Sequence, residues 1–490
     1  ITQKIGFTQI SISHQISPLR KFIARGDTTV LDAYISPTLR RYVEQVSQQL
    51  NPTQQDPIKL LFMQSNGGLT TANHFRGKDS LLSGPAGGMI GAVKTSLQAG
   101  FSKIITFDMG GTSTDVAHFQ GDYERQFETE IAGVRISVPM LAIHTVAAGG
   151  SSILQFKHQR FQVGPESAGA NPGPLSYRRG GPLCLTDANL LLGKIQVAYF
   201  PQVFGPAGNL PLDQATVQQA FETLTVEIQS QTGQPFTPNQ VAAGFIAIAV
   251  ENMANAIKKI SIQRGYDVAD YTLVCFGGAG GQHACLIAEK LGMKTIFLHP
   301  LAGVLSAYGM GLAEQRVIKQ KHIEMPLDEA LIRELKIFSA DLIHQAKAEL
   351  DPDLGTDFTL LTQAALKYQG TDAPLWVNLQ PQAALMRADF EQQQRSRYGF
   401  IQAHQPLVVE SLLVEVIQGQ YKLEEPEVFR THSGPPQPVA ENPIFTKDSW
   451  QKTPIFQRED LQPEDEIIGP ALIIEKIGTI MVEPGWIAHL

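Results

Sequence analysis

Three cysteines stand in 490 residues, Cys184, Cys275 and Cys285, at spacings that make neither a disulfide scaffold nor a four-cysteine zinc site. So few thiols point to a reducing compartment, and the cytoplasm is the expected location. Long blocks of one charge are missing too: 39 basic and 47 acidic residues are spread along the chain, for a formal net charge of -8. Without a basic face there is little to hold a nucleic-acid backbone or an anionic membrane, and both partners are set aside. Apolar runs such as AAGFIAIAV (242–250) soon meet Glu251 and Asn252, so no segment reads as a membrane span. The opening, ITQKIGFTQISISHQISPLRKF, has no initiator methionine and no charged-then-apolar signal layout, so a fragment or processed chain is expected. What is present is 43% hydrophobic residues, material for about two to four domains.

Apolar residues recur at helical spacing from Thr29 to Leu50, and Pro52 is expected to close that helix. IKLLFMQS (58–65) reads as a buried strand running into NGG. The run SGPAGGMIG (83–91) holds too much glycine for an ordinary helix start, at about 1 kcal/mol per interior glycine, and implies close packing or an unusual backbone. A helix through AVKTSLQAG then ends at Gly100. KIITF (103–107) and VAHF (116–119) read as strands. The glycine- and proline-rich stretch between Gly149 and Gly193 reads as an ordered surface or site-lining loop. TPNQVAAGFIAIAVENMANAIKKISIQRG (237–265) predicts one long buried helix, opened by a threonine cap with proline behind it. YTLVCF, GGAGG and QHACLIAEKLG follow as strand, turn and helix, and KTIFLHP as another strand. Beyond about residue 325, one helical stretch precedes alternating runs that predict a mostly β region.

Between the two strands lies FDMGGTSTD (107–115). No helix follows its glycines, so it fits neither phosphate-loop nor dinucleotide-turn spacing and suits a tight hairpin. Gly110 and Gly111 would let backbone N–H groups converge on an anion, with Thr112, Ser113 and Thr114 adding hydroxyls. Asp108 and Asp115 approach phosphate usefully only with a cation between, or serve to orient water. A structural hairpin is the alternative reading. In CFGGAGGQHAC (275–285), Gly277, Gly278, Gly280 and Gly281 at a strand-to-helix corner suit a phosphate or the sugar and base edge of a nucleotide, and suit tight packing equally well.

Taken together, SGPAGGMIGA, TFDMGGTSTDV, TVAAGGSSI (145–153), VGPESAGANPGP (163–174), TDANLLLG (186–193), ENMANAI (251–257) and FGGAGGQHAC resemble the hydantoinase A and 5-oxoprolinase family. GGAGGQHAC with LSAYGMGLAE (305–314), KYQGTD (367–372) and GPALIIEKIGTIMVEPGW (469–486) resembles the 5-oxoprolinase branch. The resemblance implies an α/β, actin-like ATPase fold of the kind shared by sugar kinases, heat-shock ATPases and actin, incomplete here, with a mostly β C-terminal domain. It divides the chain into 1–55, a remnant of a preceding domain; 56–330, the ATPase domain; and 331–490, the β domain. The family's first phosphate hairpin has no counterpart before residue 60.

What the resemblance implies chemically is ATP-dependent opening of an unactivated cyclic amide, 5-oxoproline to glutamate with ADP and phosphate. Asp108 to Asp115 would be the second phosphate hairpin and Gly277 to Gly281 the adenosine element, with Asp108 the first choice for Mg2+ and Asp115 the second. A B-type half, as a subunit or downstream domain, is the implied partner; a small cyclic amide is the substrate and an oligomer is expected. The isolated chain should be incompetent for the full reaction. His144 reads as an ordinary histidine or a ligand, His283 as structural or nucleotide-facing, and Cys285 as buried. Arg135, Arg178 and Arg179 are possible anion contacts. Glu166, Ser167 and Asn171 could line the substrate or subunit side, and Asp187 and Asn189 could orient that loop or bind a cation. Ser151 stands where family members commonly carry a third glycine. Two other functions are compatible with these residues: an ATP-dependent carboxylase subunit, and a scaffold that has kept the fold without the activity.

Overall fold

The computed structural model describes residues 2–490 except 51–57, 132, 356, 420–429 and 431–433. Pro52 lies outside the described residues. The chain divides into two compact units, the first made of Ile1–Gly91, Tyr123–Ala142 and Ser306–Leu423, the second of Ala92–Asp122, Ile143–Leu305 and Glu424–Leu490.

The first unit is built on a six-stranded sheet in the order Leu61–Met63, Leu69–Thr71, Gln315–Pro326, Leu407–Gln418, Phe358–Tyr368, Leu375–Asn378. LVVESLLVEVIQ forms the inner strand Leu407–Gln418, buried at nearly every position, as a near-continuous apolar run should be. Its two glutamates are buried because each has a cation. Glu415 takes Arg125 through paired bonds of 2.8 and 2.7 Å and also Arg316, while Glu410 meets Lys367 at 3.3 Å. Helix Glu329–Lys347, capped by Asp328 through the Leu331 N–H, packs its Leu331, Ile332, Leu335 and Leu342 into this unit's core. Helix Ala383–Tyr398, which the mostly β expectation for this region does not include, adds Met386 and Phe390. Its signal is weak because most of AALMRADFEQQQRSRY is polar.

The first long helix runs Phe22–Leu50, starting earlier than the spacing predicts and containing Pro37. SGPAGGMIG is helical after all, within Ser83–Gln98. Its glycines are there for close packing: a Cβ on Gly87 would lie 2.7 Å from the Ser306 carbonyl, and one on Gly309 would run into Gly87 and Gly91 backbone. Contact between helices this close offsets the propensity cost of glycine.

The second unit holds a five-stranded sheet in the order Thr295–Phe297, Thr272–Phe276, Lys103–Met109, Thr114–Gln120, Ile143–Val146. The first three strands run parallel and the last two antiparallel to their neighbours. Helix Pro238–Ile260 has the expected Thr237 cap, completed as a reciprocal box by Gln240, with Pro238 at its start. Against the expectation that no segment reads as a span, this helix could cross a membrane by length and composition. Here Val241, Phe245, Ile246, Ala249, Met253 and Ile257 are instead buried in the unit's main core. The stretch 149–193 is more regular than predicted, with a hairpin of Ser152–Lys157 and Arg160–Ser167 and a helix, Leu185–Leu191. A four-stranded sheet, Ala440–Thr446, Ser449–Gln457, Ala471–Glu475 and Gly478–Val482, completes the unit's larger sheets.

Candidate functional site

FDMGGTSTD forms the expected hairpin. Strand residues pair in the order Phe107 with Val116, Asp108 with Asp115 and Met109 with Thr114, so the two carboxylates stand opposite one another just below the turn. The Gly110 N–H closes the turn on the Ser113 carbonyl at 3.1 Å. Gly111 and Thr112 are left at an exposed tip, and no hydrogen bond among the described residues takes the N–H of either. Adjacent unused N–H groups on a glycine turn are what an anion requires. Of the three hydroxyl residues, Thr112 and Ser113 remain at the tip, whereas Thr114 is buried and donates to the Ala148 carbonyl at 2.5 Å. Asp115 accepts from Thr145 at 2.5 Å. Burial pushes its carboxyl above the usual carboxylate range, and the Thr145 bond opposes that shift.

The TVAAGGSSI loop supports the tip. Gly150 N–H donates to the Gly110 carbonyl at 3.1 Å and Ser151 N–H to the Gly111 carbonyl at 2.6 Å. Gly149 must be glycine, because a Cβ there would lie 2.7 Å from Gly111 and Thr112 backbone. Ser151 sits beside the tip with its Oγ 3.7 Å from where a Cβ on Gly111 would be. Nothing in the sequence singles out Thr145; Ser151 is marked by the doubled glycine before it and by being a serine where a third glycine is common.

The second glycine turn lies next to the first. Strand Thr272–Phe276 runs parallel to Lys103–Met109 with Phe276 opposite Asp108, and the Ala279 N–H donates to the Met109 carbonyl at 3.0 Å. Gly277, at φ +81°, passes so close that a Cβ would lie 2.4 Å from Asp108 Oδ1. Gly278 is exposed. Gly280 and Gly281 are buried, one against Cys275 Sγ and the other against the Thr479 carbonyl.

Helix Leu185–Leu191 ties the two turns together. Thr186 Oγ1 donates to the Gly150 carbonyl at 2.8 Å. Asn189 Nδ2 meets His283 Nε2 at 3.1 Å, both side chains being buried. Burial and the nearby Lys194 cation push the His283 imidazole down to about 3, so the ring is neutral near pH 7. Asp187 is an organising residue for the loop: its carboxylate accepts the N–H groups of Leu175, Ser176 and Cys184 at 3.0, 2.9 and 2.8 Å. Burial raises its pKa, against the pull of those bonds.

Other sequence candidates fall elsewhere. His144, opposite Val116 in the sheet, is held below its ordinary pKa by partial burial and by Lys259 and Arg264. Glu166 and Asn171 are exposed, and Ser167 Oγ reaches the Ser151 carbonyl at 3.4 Å. Arg178 is engaged by Asp213 at 2.8 Å, Arg179 is exposed, and Arg135 is exposed on a strand of the other unit. Cys285 is buried, with its thiol donating to the Met481 carbonyl and its pKa pushed up to about 12 by burial, which removes it as a nucleophile. Among the described residues no group of three or more His, Cys, Asp or Glu side chains is arranged to hold a metal ion.

The 5-oxoprolinase of Dictyostelium discoideum is 38% identical over 510 aligned residues, covering 100% of this chain and 40% of the relative. The chain thus spans about two fifths of the length of such curated relatives. The crystal structure of ATP-dependent caprolactamase from Pseudomonas jessenii superposes with a TM-score of 0.81 at 28% identity, over 98% of this chain and 70% of that one. A nucleotide-free acetone carboxylase structure shares the mixed α/β fold, with a TM-score of 0.74 at 21% identity over 98% of this chain and 69% of that one. The family model described as hydantoinase/oxoprolinase matches residues 25–319, and that of the hydantoinase/oxoprolinase C-terminal domain matches 357–490; the chain belongs to the hydantoinase/oxoprolinase family.

Proposed function

We propose that the second unit handles ATP, and that the chain is the ATP-binding, A-type portion of an enzyme that opens a cyclic amide, best matched by 5-oxoproline. The observation that carries this reading is the adjacency of two glycine turns at the ends of neighbouring parallel strands, one of them presenting unused N–H groups. Ligands of open α/β sheets bind beyond the carboxyl ends of their strands, and a polyphosphate with a nucleoside attached needs two such elements side by side.

In this reading Gly110, Gly111, Thr112 and Ser113 hold phosphate, and Thr114 anchors the hairpin that carries them. Gly277 and Gly278 face the nucleoside end, while Gly280 and Gly281 set the turn by packing. Asp108 and Asp115 fit Mg2+ as a cation that keeps several waters and takes one or two carboxylates plus phosphate oxygens; Asp108, which stands beside the second glycine turn, is the first choice, and Asp115, which accepts from Thr145, the second. Bound Mg2+ would offset the negative charge of the phosphates. Positioned donors at the hairpin stabilise charge as it develops on the transferred group, which is the main contribution proteins make to phosphoryl transfer. The finer fold description, an actin-like ATPase domain over 56–330 flanked by 1–55 and a mostly β 331–490, belongs to the same proposal, as does a cytoplasmic location. All three cysteines are buried and free, in keeping with a reducing compartment.

Hydrolysis would need a B-type half. A caprolactamase named as subunit alpha, 30% identical over 96% of this chain, supports a partner of that kind. The test is ADP release by the full-length protein with its B-type half, Mg2+ and ATP. ADP and glutamate in equal amounts with 5-oxoproline, and no turnover with a hydantoin or a bicarbonate-plus-ketone mixture, is the expected result. Turnover only with bicarbonate and ketone would move the chain to the carboxylases, and none at all would leave it a scaffold.

A further inference from the structure

AAGGSS (147–152) places two serines side by side, and the fold uses the side chain of one of them. Ser152 is 1% exposed, and its Oγ accepts the Gly149 N–H at 2.9 Å. Ser151 is 4% exposed, yet its Oγ makes no hydrogen bond among the described residues. That hydroxyl is not sealed in, as the partnerless hydroxyls of Ser96 and Ser176 are; it opens to solvent. Polar groups in so buried a side chain are almost always bonded, and an exception calls for a ligand, a water or a function.

The position of Ser151 says which. Its N–H donates to the Gly111 carbonyl at 2.6 Å, and its carbonyl accepts from the Ala168 N–H at 2.9 Å and from Ser167 Oγ at 3.4 Å. The backbone is therefore pinned against the hairpin, and the hydroxyl is its free polar group. A Cβ on Gly111 would have Ser151 Oγ, at 3.7 Å, as its one neighbour within 4 Å beyond the adjoining residues, so the hydroxyl borders the open side of a residue whose N–H is unused. The two preceding positions have no such room. A Cβ on Gly149 would lie 2.7 Å from Gly111 and Thr112 backbone, and one on Gly150 would lie 2.8 Å from Thr186 Oγ1. Of the three residues in GGS, the third has space for a side chain, and it carries one that can donate.

We propose that Ser151 is a further phosphate-binding residue, its hydroxyl donating to a phosphate oxygen held at the hairpin tip beside Gly111 and Thr112. A hydrogen bond to an ionised oxygen is about twice as strong as one between neutral groups, so a single hydroxyl here adds measurable affinity. The inference rests on the hairpin's being the phosphate site, as proposed above, and is independent of which cyclic amide is opened. Serine stands where a third glycine is common, so the added affinity is lost when glycine is put back.

The test is calorimetric titration of the full-length protein and its Ser151→Ala and Ser151→Gly variants with two probes, pyrophosphate and a non-hydrolysable ATP analogue, each with Mg2+. Both variants are expected to bind both probes about tenfold more weakly than the parent, with unchanged melting temperatures. Alanine keeps the Cβ and removes the hydroxyl, so agreement between the two variants assigns the loss to the hydroxyl. Parent-like affinity in Ser151→Ala overturns the inference, as does weakening in Ser151→Gly alone, which would make the side chain a spacer. Pyrophosphate bound by the parent and weakened in both variants, with no binding of the ATP analogue, would uphold Ser151 and sink the nucleotide reading. Binding of neither probe by the parent sinks both.

Discussion

The two glycine turns of the second unit look alike in sequence and differ in what their glycines do. At the hairpin tip a Cβ on Gly110 would meet nothing within 4 Å, and one on Gly111 only Ser151 Oγ at 3.7 Å. At the neighbouring turn the same atom would meet Asp108 Oδ1 at 2.4 Å from Gly277, Cys275 Sγ at 2.8 Å from Gly280 and the Thr479 carbonyl at 2.7 Å from Gly281. Glycine is required in the second turn because the protein fills the space. In the first the space is open, so the glycines there expose backbone instead of making room for protein. Glycine content alone therefore says little about ligands; the neighbours of each missing Cβ decide.

That contrast predicts opposite responses to substitution. Gly277→Ala combines a left-handed backbone with a backbone and side-chain clash, and should cost about 4 kcal/mol of stability, read as a large fall in urea midpoint. Asp187→Ala, which strands three N–H groups of one loop, should cost about 3 kcal/mol by the same measurement. Thr112→Val and Gly110→Ala should leave stability within about 0.5 kcal/mol. Each should nonetheless weaken nucleotide binding by about tenfold, Thr112→Val by removing a hydroxyl that bonds phosphate and Gly110→Ala by placing a Cβ where the phosphate approaches the backbone. If Gly110→Ala unfolds the protein as Gly277→Ala does, the distinction between the turns is lost.

A smaller effect concerns His283, which links the second turn to helix Leu185–Leu191. Its folded-state pKa lies near 3, below the ordinary value, so the unfolded chain takes up the proton first on acidification. The contribution is constant above about pH 6.5 and turns destabilising as pH falls from there toward 3. Between pH 6.5 and 5.5 it amounts to about 1 kcal/mol. Urea midpoints at those two pH values should show that slope in the parent and its loss in His283→Gln; an equal slope in both would mean that His283 is not held neutral.

Much of the second unit is legible in the sequence alone. In IITFDMGGTSTDVAHF two apolar runs flank a glycine-rich turn with no helix behind it, so the hairpin follows from spacing. The cap and proline at Thr237 and Pro238 likewise announce the buried helix. Local signals fail where tertiary contacts decide. SGPAGGMIG is helical because another helix, also rich in glycine, comes close enough to need Gly87, and no single-segment reading sees the second helix. Helix Ala383–Tyr398 escapes its sequence pattern because its buried face rests on so few residues. At the site, the Asn189–His283 contact, the Thr145–Asp115 bond and the approach of Ser151 to Gly111 join positions 94, 30 and 40 residues apart. Such separations leave no trace in periodicity.

The central claim is that the open hairpin tip, and not the packed turn's glycines, supplies the phosphate contacts. The most direct measurement is calorimetric titration of a non-hydrolysable ATP analogue with Mg2+ into the full-length protein and its Thr112→Val variant, with the melting temperature of each recorded alongside. The expected result is binding by the parent, affinity about tenfold lower in the variant, and matching melting temperatures. Equal affinity in the two proteins would contradict the claim.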